Sequence, residues 1–533
     1  MANSKESHTI EVHAPIQGEL PSDYADRLGS LYAKESTGSD KKQKGQFFTP
    51  LTIAHFMASL GSAHRDEVHI LDPGCGTGVL SISLVEYLSK ANPNLHTIHL
   101  VAYETDVKLI KYSQLTFQYL KEWLGEKGLR FEYILHISDF VLDNTASLAA
   151  FNSLFRQELD TYDFIISNPP YFKLSKDDDR TKAAKGVVNG HANIYSIFMA
   201  IAAQLLNNDG ELIFITPRSF SSGQYFQAFR NNFFKKVDIV QAHLFHSRKD
   251  TFKRDKVLQE TLILKCQPKL DDDFRENIVV TSSSGTKDLE DPESISLPSN
   301  LVIEYDSADK IVFLPTTQRE REIVELFRTW PGTLNRYNIQ ISTGPVVAHR
   351  AWDFILNEPV DDEIQSVPLF WLHNVSKMDL HWPIPRPNKG QFIKSVPKSK
   401  NILIDNKNYL LLRRFSSKDD KSRLIAAPYF SNATRANYIG VENKLNYIYR
   451  PKGHLERAEI IGLGALLNSS LFDQFFRIIN GNVNVSATEL RLMPLPPHEQ
   501  IKEIGNRLIL LNSFDSTTIN NLITETFELE IIS

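Results

Sequence analysis

The stretch "HILDPGCGTGVLSISL", residues 69–84, decides the fold of the first half of the chain. It starts in a predicted strand, continues through a loop with glycines at positions 74, 76 and 78, and enters a predicted amphipathic helix. Such glycines allow a tight turn and let a ligand approach the backbone at the start of the helix. Three glycines alone often mark only a turn. Here the spacing of the glycines and the preceding Asp72-Pro73 distinguish the loop from the dinucleotide-binding pattern G-x-G-x-x-G.

Around this stretch, apolar and helical segments alternate from about residue 52 to residue 265. The segments "VHIL", "HTIHLVAYE", "FEYILHIS", "YDFIIS", "GELIFITP" and "ETLILK" read as strands, and amphipathic segments separate most of them. Alternation at this spacing predicts an α/β domain with a parallel, doubly wound, Rossmann-like sheet.

Acidic residues follow three successive predicted strands. Asp72 follows the first, Glu104 the second and Asp139 the third. Each acid alone is more often a solvated loop residue or a helix cap. However, doubly wound sheets bind their ligands in a crevice at the carboxyl ends of the strands, and three acids at successive strand ends would line that crevice. We expect Glu104 to accept hydrogen bonds from ribose hydroxyls and Asp139 to accept one from an adenine amino group. Phe140 would stack on the base.

The next strand leads into "SNPPYF", residues 167–172. The two prolines in Asn168-Pro169-Pro170-Tyr171 cannot donate to a strand ladder, so the strand ends there and the following loop is stiff. A stiff loop that carries one amide and an aromatic ring suits a flat substrate with hydrogen-bonding edges.

The composition is typical of a soluble globular protein, with 42% hydrophobic and 23% charged residues. A length of 533 residues predicts two or three domains. No apolar run approaches the roughly 20 residues of a membrane span, and the polar start lacks a secretory signal. Only Cys75 and Cys266 are present, which excludes a disulfide framework and a cysteine-rich zinc site. We therefore expect a cytoplasmic protein.

A basic segment lies within a chain whose formal net charge is −5. Residues 386–457 contain sixteen Lys and Arg residues against five Asp and Glu residues, with aromatic residues between them. A solvated basic surface would have the same composition, but the interleaved aromatics favour a nucleic-acid partner.

The motifs together resemble a known family. The order "KGQFFTP" (44–50), "DPGCGTG", "YETD", "SDF" and "NPPY" is similar to that of S-adenosylmethionine-dependent methyltransferases that modify amino groups in DNA. A recognition domain after these motifs is typical of the gamma group of adenine-N6 DNA methyltransferases, which belong to type II restriction-modification systems. The segments "STGPVV" (342–347) and "NSSLFDQFFRIINGNVNVSATELRLMPLP" (468–496) resemble their recognition domains.

Composition along the chain and the resemblance together predict four regions. They are an N-terminal lead-in (1–40), a catalytic methyltransferase domain (41–266), a connecting segment (267–334) and an α+β DNA target-recognition domain (335–533).

The resemblance also implies site residues and a function. It implies that S-adenosyl-L-methionine is bound by Phe48, Thr49, Pro50, Asp72, Gly74, Gly76, Gly78, Glu104, Asp139, Phe140 and Asn168. Catalysis on adenine rotated out of double-stranded DNA would use Asn168, Pro169, Pro170, Tyr171 and Phe252. Arg and Lys side chains can hydrogen-bond to guanine in the major groove, so the basic segment supplies candidates for DNA binding: Arg413, Arg414, Arg423, Arg435 and Lys444. No metal is required. Phe252 matches the family position for covering one face of the base, and Phe245 is a rival for that role.

Several alternatives remain at this point. Related cytosine-N4 enzymes more often carry Ser at the position of Asn168, so adenine is favoured over cytosine. A fused nuclease would need more space than the roughly 40 residues before "KGQFFTP", and a noncatalytic DNA-binding subunit would not need the cofactor motifs. The fold alone does not exclude methylation of RNA or of protein. We expect a monomer that protects host DNA from a cognate restriction endonuclease.

Overall fold

A computed structural model describes residues 14–35, 48–149, 160–188, 192–246, 260–269, 275–359, 366–416, 420–480 and 484–529. The chain divides into two compact units, Met1–Thr316 and Thr317–Ser533. The sequence placed the start of the last domain at residue 335, whereas the second compact unit begins at Thr317. The lead-in (1–40) and most of the predicted connecting segment fall within the first unit.

The first unit contains a sheet of nine described strands in the order β3-β2-β1-β4-β5-β7-β6-β8-β9. The strands are β1 (Glu67–Asp72), β2 (Thr97–Tyr103), β3 (Arg130–His136), β4 (Tyr162–Ser167), β5 (Leu206–Pro217), β6 (Val237–Phe245), β7 (Thr261–Pro268), β8 (Asn277–Ser283) and β9 (Glu293–Pro298). Strands β3, β2, β1, β4 and β5 pair in parallel, as expected. The carboxyl ends of these five strands therefore lie along the same edge of the sheet.

The other half of the sheet corrects the prediction of an entirely parallel sheet. Strand β7 is antiparallel to both β5 and β6, and β9 is antiparallel to β8. A run of buried apolar residues predicts a strand but carries no information about its direction, which pairing and the connections decide. The structure is a mixed α/β sheet of the Rossmann-like class.

The predicted connecting segment also differs from the expectation. Strands β8 and β9 extend the sheet of the first unit. Ile278 and Val280 of β8 are buried, so this segment contributes to the core instead of bridging two domains.

Ten helices of the first unit are described. They are α1 (Pro21–Glu35), α2 (Leu51–Ser59), α3 (Val79–Ala91), α4 (Val107–Gly125), α5 (Phe140–Asp143), α6 (Thr145–Ala149), α7 (Asp179–Ala183), α8 (Ile194–Gln204), α9 (Gln227–Phe233) and α10 (Ser299–Val302). Helix α1, predicted as part of a lead-in, packs on α3 and α4. Consecutive residues Ile70 and Leu71 of β1 are both buried, so both faces of this strand are covered.

The second unit contains short strands in three sheets, ordered β10-β20-β17-β18, β11-β15-β12-β19-β16 and β13-β14. The strands are β10 (Gln340–Thr343), β11 (Ile355–Leu356), β12 (Ser366–Phe370), β13 (Val375–Ser376), β14 (Asp379–Leu380), β15 (Phe392–Lys394), β16 (Ile404–Asp405), β17 (Tyr409–Arg413), β18 (Ala426–Tyr429), β19 (Tyr438–Val441) and β20 (Leu445–Tyr449).

The described α-helices of the second unit lie at its two ends in sequence. They are α11 (Gln318–Thr329), α12 (Arg457–Asn468), α13 (Ser470–Ile479), α14 (Ala487–Leu492), α15 (His498–Leu511) and α16 (Ser516–Thr526). Phe327 of α11 stacks on Phe475 of α13, with ring centroids 3.8 Å apart, so α11 belongs to the core of this unit. Within the described part of the chain, no helix has the length and apolar character needed to cross a membrane.

Candidate active site

The glycine loop joins β1 to α3 and adopts a left-handed turn. Gly76 and Gly78 have φ angles of +56° and +82°. A Cβ atom on Gly78 would lie 2.6 Å from the ring of Phe117, so this position excludes any side chain. A Cβ atom on Gly74 would only meet Phe198, at 3.7 Å. Packing therefore requires glycine at position 78 but not at position 74.

Glu104 connects the ends of β1 and β2. Its Oε2 accepts a hydrogen bond from the Gly76 amide at 3.1 Å, and its Oε1 accepts from the amides of Thr105 and Asp106 at 2.8 and 2.7 Å. Burial raises the pKa of this carboxyl group. A carboxylate has about four acceptor positions, so Glu104 keeps the capacity to accept from a hydroxyl group of a ligand.

Asp139 follows β3 and caps the short helix α5. Its Oδ1 accepts from the amides of Val141 and Leu142 at 2.9 and 3.2 Å, and its Oδ2 lies 3.4 Å from Nη1 of Arg180. Arg180 also pairs with Asp178 at 2.7 Å. Because the two aspartates hold its guanidinium group, Arg180 places a positive charge directly beside Asp139.

Phe140, the first residue of α5, is almost completely buried. Its ring packs edge-on against Tyr103 and tilted against Phe198, with centroid distances of 5.2 and 5.0 Å. These contacts give the aromatic wall of the site a defined orientation.

Asn168 lies directly after β4, and its side-chain amide is held at both ends. Its Nδ2 donates to Oγ1 of Thr49 at 3.0 Å, and its Oδ1 accepts from the hydroxyl of Tyr171 at 2.5 Å. The same hydroxyl lies 3.0 Å from the carbonyl oxygen of Ile215. These contacts orient the amide oxygen and the ring of Tyr171 together.

The end of the "KGQFFTP" motif reaches the same site. The ring of Phe48 packs edge-on against Tyr32 of α1 at a centroid distance of 5.7 Å. Thr49 contacts Asn168, as described above. The Pro50 carbonyl accepts from the amides of Ile53 and Ala54 and so begins α2. Residues 44–47 of the motif lie outside the described residues.

A cavity of about 400 Å³ lies where these elements meet. Nine predicted site residues line it: Phe48, Thr49, Gly74, Gly76, Glu104, Asp139, Phe140, Asn168 and Pro170. Five do not: Pro50, Asp72, Gly78, Pro169 and Tyr171. Asp72 and Pro169 are buried, Pro50 and Gly78 directly precede α2 and α3, and Tyr171 donates a hydrogen bond to Asn168.

Asp72 is completely buried below the glycine loop. Burial raises the pKa of its carboxyl group to about 7, and the negative charge of Glu104 acts in the same direction. The Gly74 amide and Ser81 lower the pKa, but none of the described residues makes a hydrogen bond of ordinary geometry to either carboxyl oxygen. A buried carboxyl group without such a bond fits a site that receives a positively charged ligand group nearby.

Several residues that line the cavity were not predicted from the sequence. They are Thr77, Tyr103, Asp106, Ser138, Phe172, Arg180, Ile194 and Phe198, among others. Asp106 is the last residue of the "YETD" motif. Its carboxylate caps α4 and accepts a hydrogen bond from the Tyr32 hydroxyl at 2.7 Å. Arg180 follows Asp139 by 41 residues, and no local pattern connects the two positions.

Phe252 lies outside the described residues. Its rival Phe245, at the end of β6, is buried in the core and packs edge-on against His243 at 4.8 Å. Phe245 is therefore a packing residue, and it does not line the cavity.

The predicted DNA-binding residues of the second unit differ in exposure. Arg435 and Lys444 are exposed, and Arg413 and Arg414 are partly exposed. Nε of Arg413 donates to the Val375 carbonyl at 2.7 Å.

The prediction for Arg423 is wrong. Its side chain is completely buried, donates to Ser416 at 3.1 Å and to Asn480 at 3.1 Å, and lies over the ring of Phe476. A buried arginine that is hydrogen-bonded on several sides holds the core together and cannot contact DNA. A count of basic residues does not distinguish this arginine from its exposed neighbours.

Comparisons with known proteins identify the family. Residues 86–252 match the Eco57I restriction-modification methylase family. The type II methyltransferase M.BsuBI of Bacillus subtilis is 31% identical over 472 residues, which cover 88% of this chain and 91% of that protein. The chain belongs to the type II restriction-modification methyltransferases. M.PstI of Providencia stuartii is 29% identical over 489 residues, which cover 92% of this chain and 94% of that protein.

Similarity to solved structures is weaker. The DrdV–DNA complex has a TM-score of 0.45 and 15% identity, and the match covers 92% of this chain and 59% of that one. This match is too weak to carry an inference about the chain. Family membership makes the protein a DNA methyltransferase of a restriction-modification system, with S-adenosyl-L-methionine as its cofactor, and the acids and aromatic side chains of the cavity fit this group.

Proposed function

We propose that this methyltransferase transfers a methyl group to N6 of adenine at a specific site in double-stranded DNA. The observation that carries this proposal is the amide of Asn168, which lines the cavity and is oriented by Thr49 and Tyr171. An exocyclic amine on an aromatic ring is a poor nucleophile because its lone pair is delocalised. Fixed acceptors for its protons favour the pyramidal nitrogen that attacks, and this is the contribution we propose for Asn168.

The acceptor pair would be Oδ1 of Asn168 and the carbonyl oxygen of Pro169. An amide oxygen has two lone pairs, so Oδ1 can accept from the amine while it accepts from Tyr171. Acceptors that are already in position stabilise the positive charge that develops on nitrogen without a cost of reorganisation. The proton leaves after that charge has formed, so the chain needs neither a strong base nor a metal for this step.

The cofactor supplies an electrophilic methyl group when it is bound. We propose that Glu104 accepts from the ribose hydroxyls and that Phe140 contacts the adenine ring. Asp139 would accept from the adenine amino group, with its carboxylate held in place by the α5 amides and Arg180. Phe48 and Thr49 would hold the methionine end, and the buried Asp72 would favour its positive charge.

The target base must leave the DNA stack to reach the cavity, at a cost of a few kcal/mol. We propose that the ring of Tyr171 covers one face of the rotated base and that Phe252 covers the other. The hydroxyl contacts of Tyr171 to Asn168 and Ile215 support a fixed ring position. A duplex with 2-aminopurine at the target position tests this step, because fluorescence rises when the base leaves the stack. Phe252→Ala should reduce that rise, and Phe245→Leu serves as the control for a core residue.

We propose that the second unit carries the DNA target-recognition domain, from about residue 335. Of the residues predicted for this role, Arg413, Arg414, Arg435 and Lys444 are accessible and remain candidates for phosphate or base contacts. Arg and Lys at accessible positions suit both phosphate oxygens and guanine edges. We also propose that the enzyme acts as a monomer in the cytoplasm and protects host DNA from a cognate endonuclease.

Modification-sensitive long-read sequencing of host DNA after expression of this chain alone tests the proposal. Adenine methylation at one short motif, absent with an Asn168→Ala control, is the expected result and would also reveal the recognition sequence. Methylation of cytosine at N4 would overturn the choice of base. The host DNA could also stay unmodified while the purified protein still binds S-adenosylmethionine. In that case RNA and proteins would be tested next as methyl acceptors.

A further inference from the structure

A row of polar side chains crosses the first three strands of the sheet. His69 of β1 lies opposite His99 of β2, and His99 lies opposite Glu132 of β3 in the parallel register. Glu67 precedes His69 by two positions and therefore shares its face of the sheet. We call these four residues the histidine cluster. It lies in the amino-terminal halves of the strands, whereas the cavity lies at their carboxyl ends.

The two imidazole rings of the histidine cluster converge on one carboxylate. The rings stack with centroids 4.6 Å apart and an interplanar angle of 13°. Nε2 of His99 lies 3.1 Å from Oε1 of Glu67, and Nε2 of His69 lies 3.5 Å from the same oxygen. One ligand atom from each of these three residues lies within 4.8 Å of the other two. Three ligand atoms at such distances can share one metal ion.

The second nitrogen of His99 also has a defined partner. Its Nδ1 lies 3.3 Å from Oε2 of Glu132. A carboxylate that accepts from Nδ1–H selects the tautomer in which Nε2 carries a free lone pair. The same arrangement orients metal-bound histidines in many proteins.

We propose that the histidine cluster binds a divalent transition-metal ion of the zinc type. Two imidazole nitrogens and one carboxylate oxygen form a ligand set that suits Zn²⁺, with a water molecule in the fourth position. Mg²⁺ and Ca²⁺ prefer sets made of oxygen ligands alone, so this cluster disfavours them. Between about a quarter and a half of each side chain is exposed, so an ion can enter from solvent.

The bound ion would connect β1 to β2 directly and to β3 through Glu132. It has no part in methyl transfer as proposed above, because the cluster shares no residue with the cavity. Binding to the folded state alone would raise thermal stability.

Isothermal titration of the full-length protein with Zn²⁺ tests this site, using metal-free protein that carries no polyhistidine tag. We expect one equivalent to bind at micromolar Zn²⁺ and to raise the melting temperature. His69→Ala and His99→Ala should each remove both effects. His96→Ala is the matched control, because His96 is exposed just before β2 and lies outside the histidine cluster. It should bind Zn²⁺ as the unaltered protein does.

Glu132→Gln provides a second test that does not remove a ligand. It should weaken Zn²⁺ binding by about tenfold to a hundredfold while binding of S-adenosylmethionine stays unchanged. Co²⁺ in place of Zn²⁺ should give visible absorption bands that are absent in His99→Ala. Absence of Zn²⁺ binding in the unaltered protein would overturn the proposal, and so would binding by His69→Ala and His99→Ala that equals binding by the unaltered protein.

Discussion

The side-chain amide of Asn168 donates a hydrogen bond to the hydroxyl of Thr49 at 3.0 Å, across 119 positions of the sequence. This bond joins the loop after β4 to the residue two positions before α2. Because Nδ2 is engaged by Thr49, the amide oxygen is directed to the acceptor role proposed for it. The contact between two distant motifs therefore decides the orientation of the central polar group.

Thr49→Val should reduce kcat by about tenfold, because the partly buried amide nitrogen of Asn168 loses this hydrogen bond. Thr49→Ser keeps the hydroxyl and should retain most of the activity. The measurement is methyl transfer to duplex DNA under saturating cofactor. Equal kcat values for the two variants would show that the hydrogen bond does not orient Asn168.

Asn168→Ala should lower kcat by about a hundredfold to a thousandfold or more, since one of the two proposed acceptors is lost. The affinity for S-adenosylmethionine should change little, because Glu104 and Asp139 keep their backbone hydrogen bonds. Labelled methyl transfer and calorimetric cofactor binding measure the two effects separately. Retained activity would refute the acceptor role.

Gly78→Ala should destabilise the first unit by roughly 3 kcal/mol, since the new Cβ would combine a φ of +82° with a contact of 2.6 Å to Phe117. Gly128→Ala is the matched control. Its φ of +77° is similar, but no atom lies within 4 Å of the added Cβ, so only the backbone cost of about 1 kcal/mol remains. Urea denaturation compares the two variants, and equal losses would mean that Phe117 moves aside.

Asp72→Asn should change how stability depends on pH in the cofactor-free protein. Burial raises the pKa of Asp72 to about 7 from an ordinary value of 3.8, so the folded state holds a proton that the unfolded chain releases in this interval. The stability that the protonated carboxyl contributes at low pH is therefore lost as the pH rises to about 7.

We therefore compare the free energy of unfolding of the variant with that of the unaltered protein. The difference should shift in favour of the variant by roughly 2–3 kcal/mol when the pH rises from about 5 to about 8. Urea denaturation at both pH values measures this difference. Asp66→Asn, exposed just before the same strand, is the control for removal of a carboxyl group. A constant difference between Asp72→Asn and the unaltered protein at the two pH values would contradict the raised pKa.

Arg435→Ala and Lys444→Ala should weaken DNA binding and should each lower the slope of log affinity against log salt by about 0.9 if the residue contacts a phosphate group. Lys127→Ala, exposed in the first unit, is the control for loss of one positive charge. Arg423→Ala should instead destabilise the second unit by roughly 2 kcal/mol or more, since Ser416 and Asn480 lose a buried partner. Binding titrations at several salt concentrations and thermal melting separate the two kinds of effect.

The strongly periodic part of the chain was predictable from the sequence. The glycine loop, the acids after β2 and β3 and the Asn168 loop all follow predicted strands, and parallel pairing brings strand ends to one edge. For that reason Gly76, Glu104, Asp139 and Asn168 come together in the cavity as expected. The order of the motifs, read without any structure, also pointed to the family.

Only the tertiary structure decided which side chains meet and which are buried. The pairing of Arg180 with Asp139, the burial of Arg423 and the antiparallel direction of β7 have no local signal, because each depends on segments that are distant in sequence. Local sequence specifies strands, turns and motif chemistry through backbone geometry and hydrophobic periodicity. Burial and long-range hydrogen bonds arise only when the elements pack, so they decide the orientation of Asn168 and the charge around Asp139.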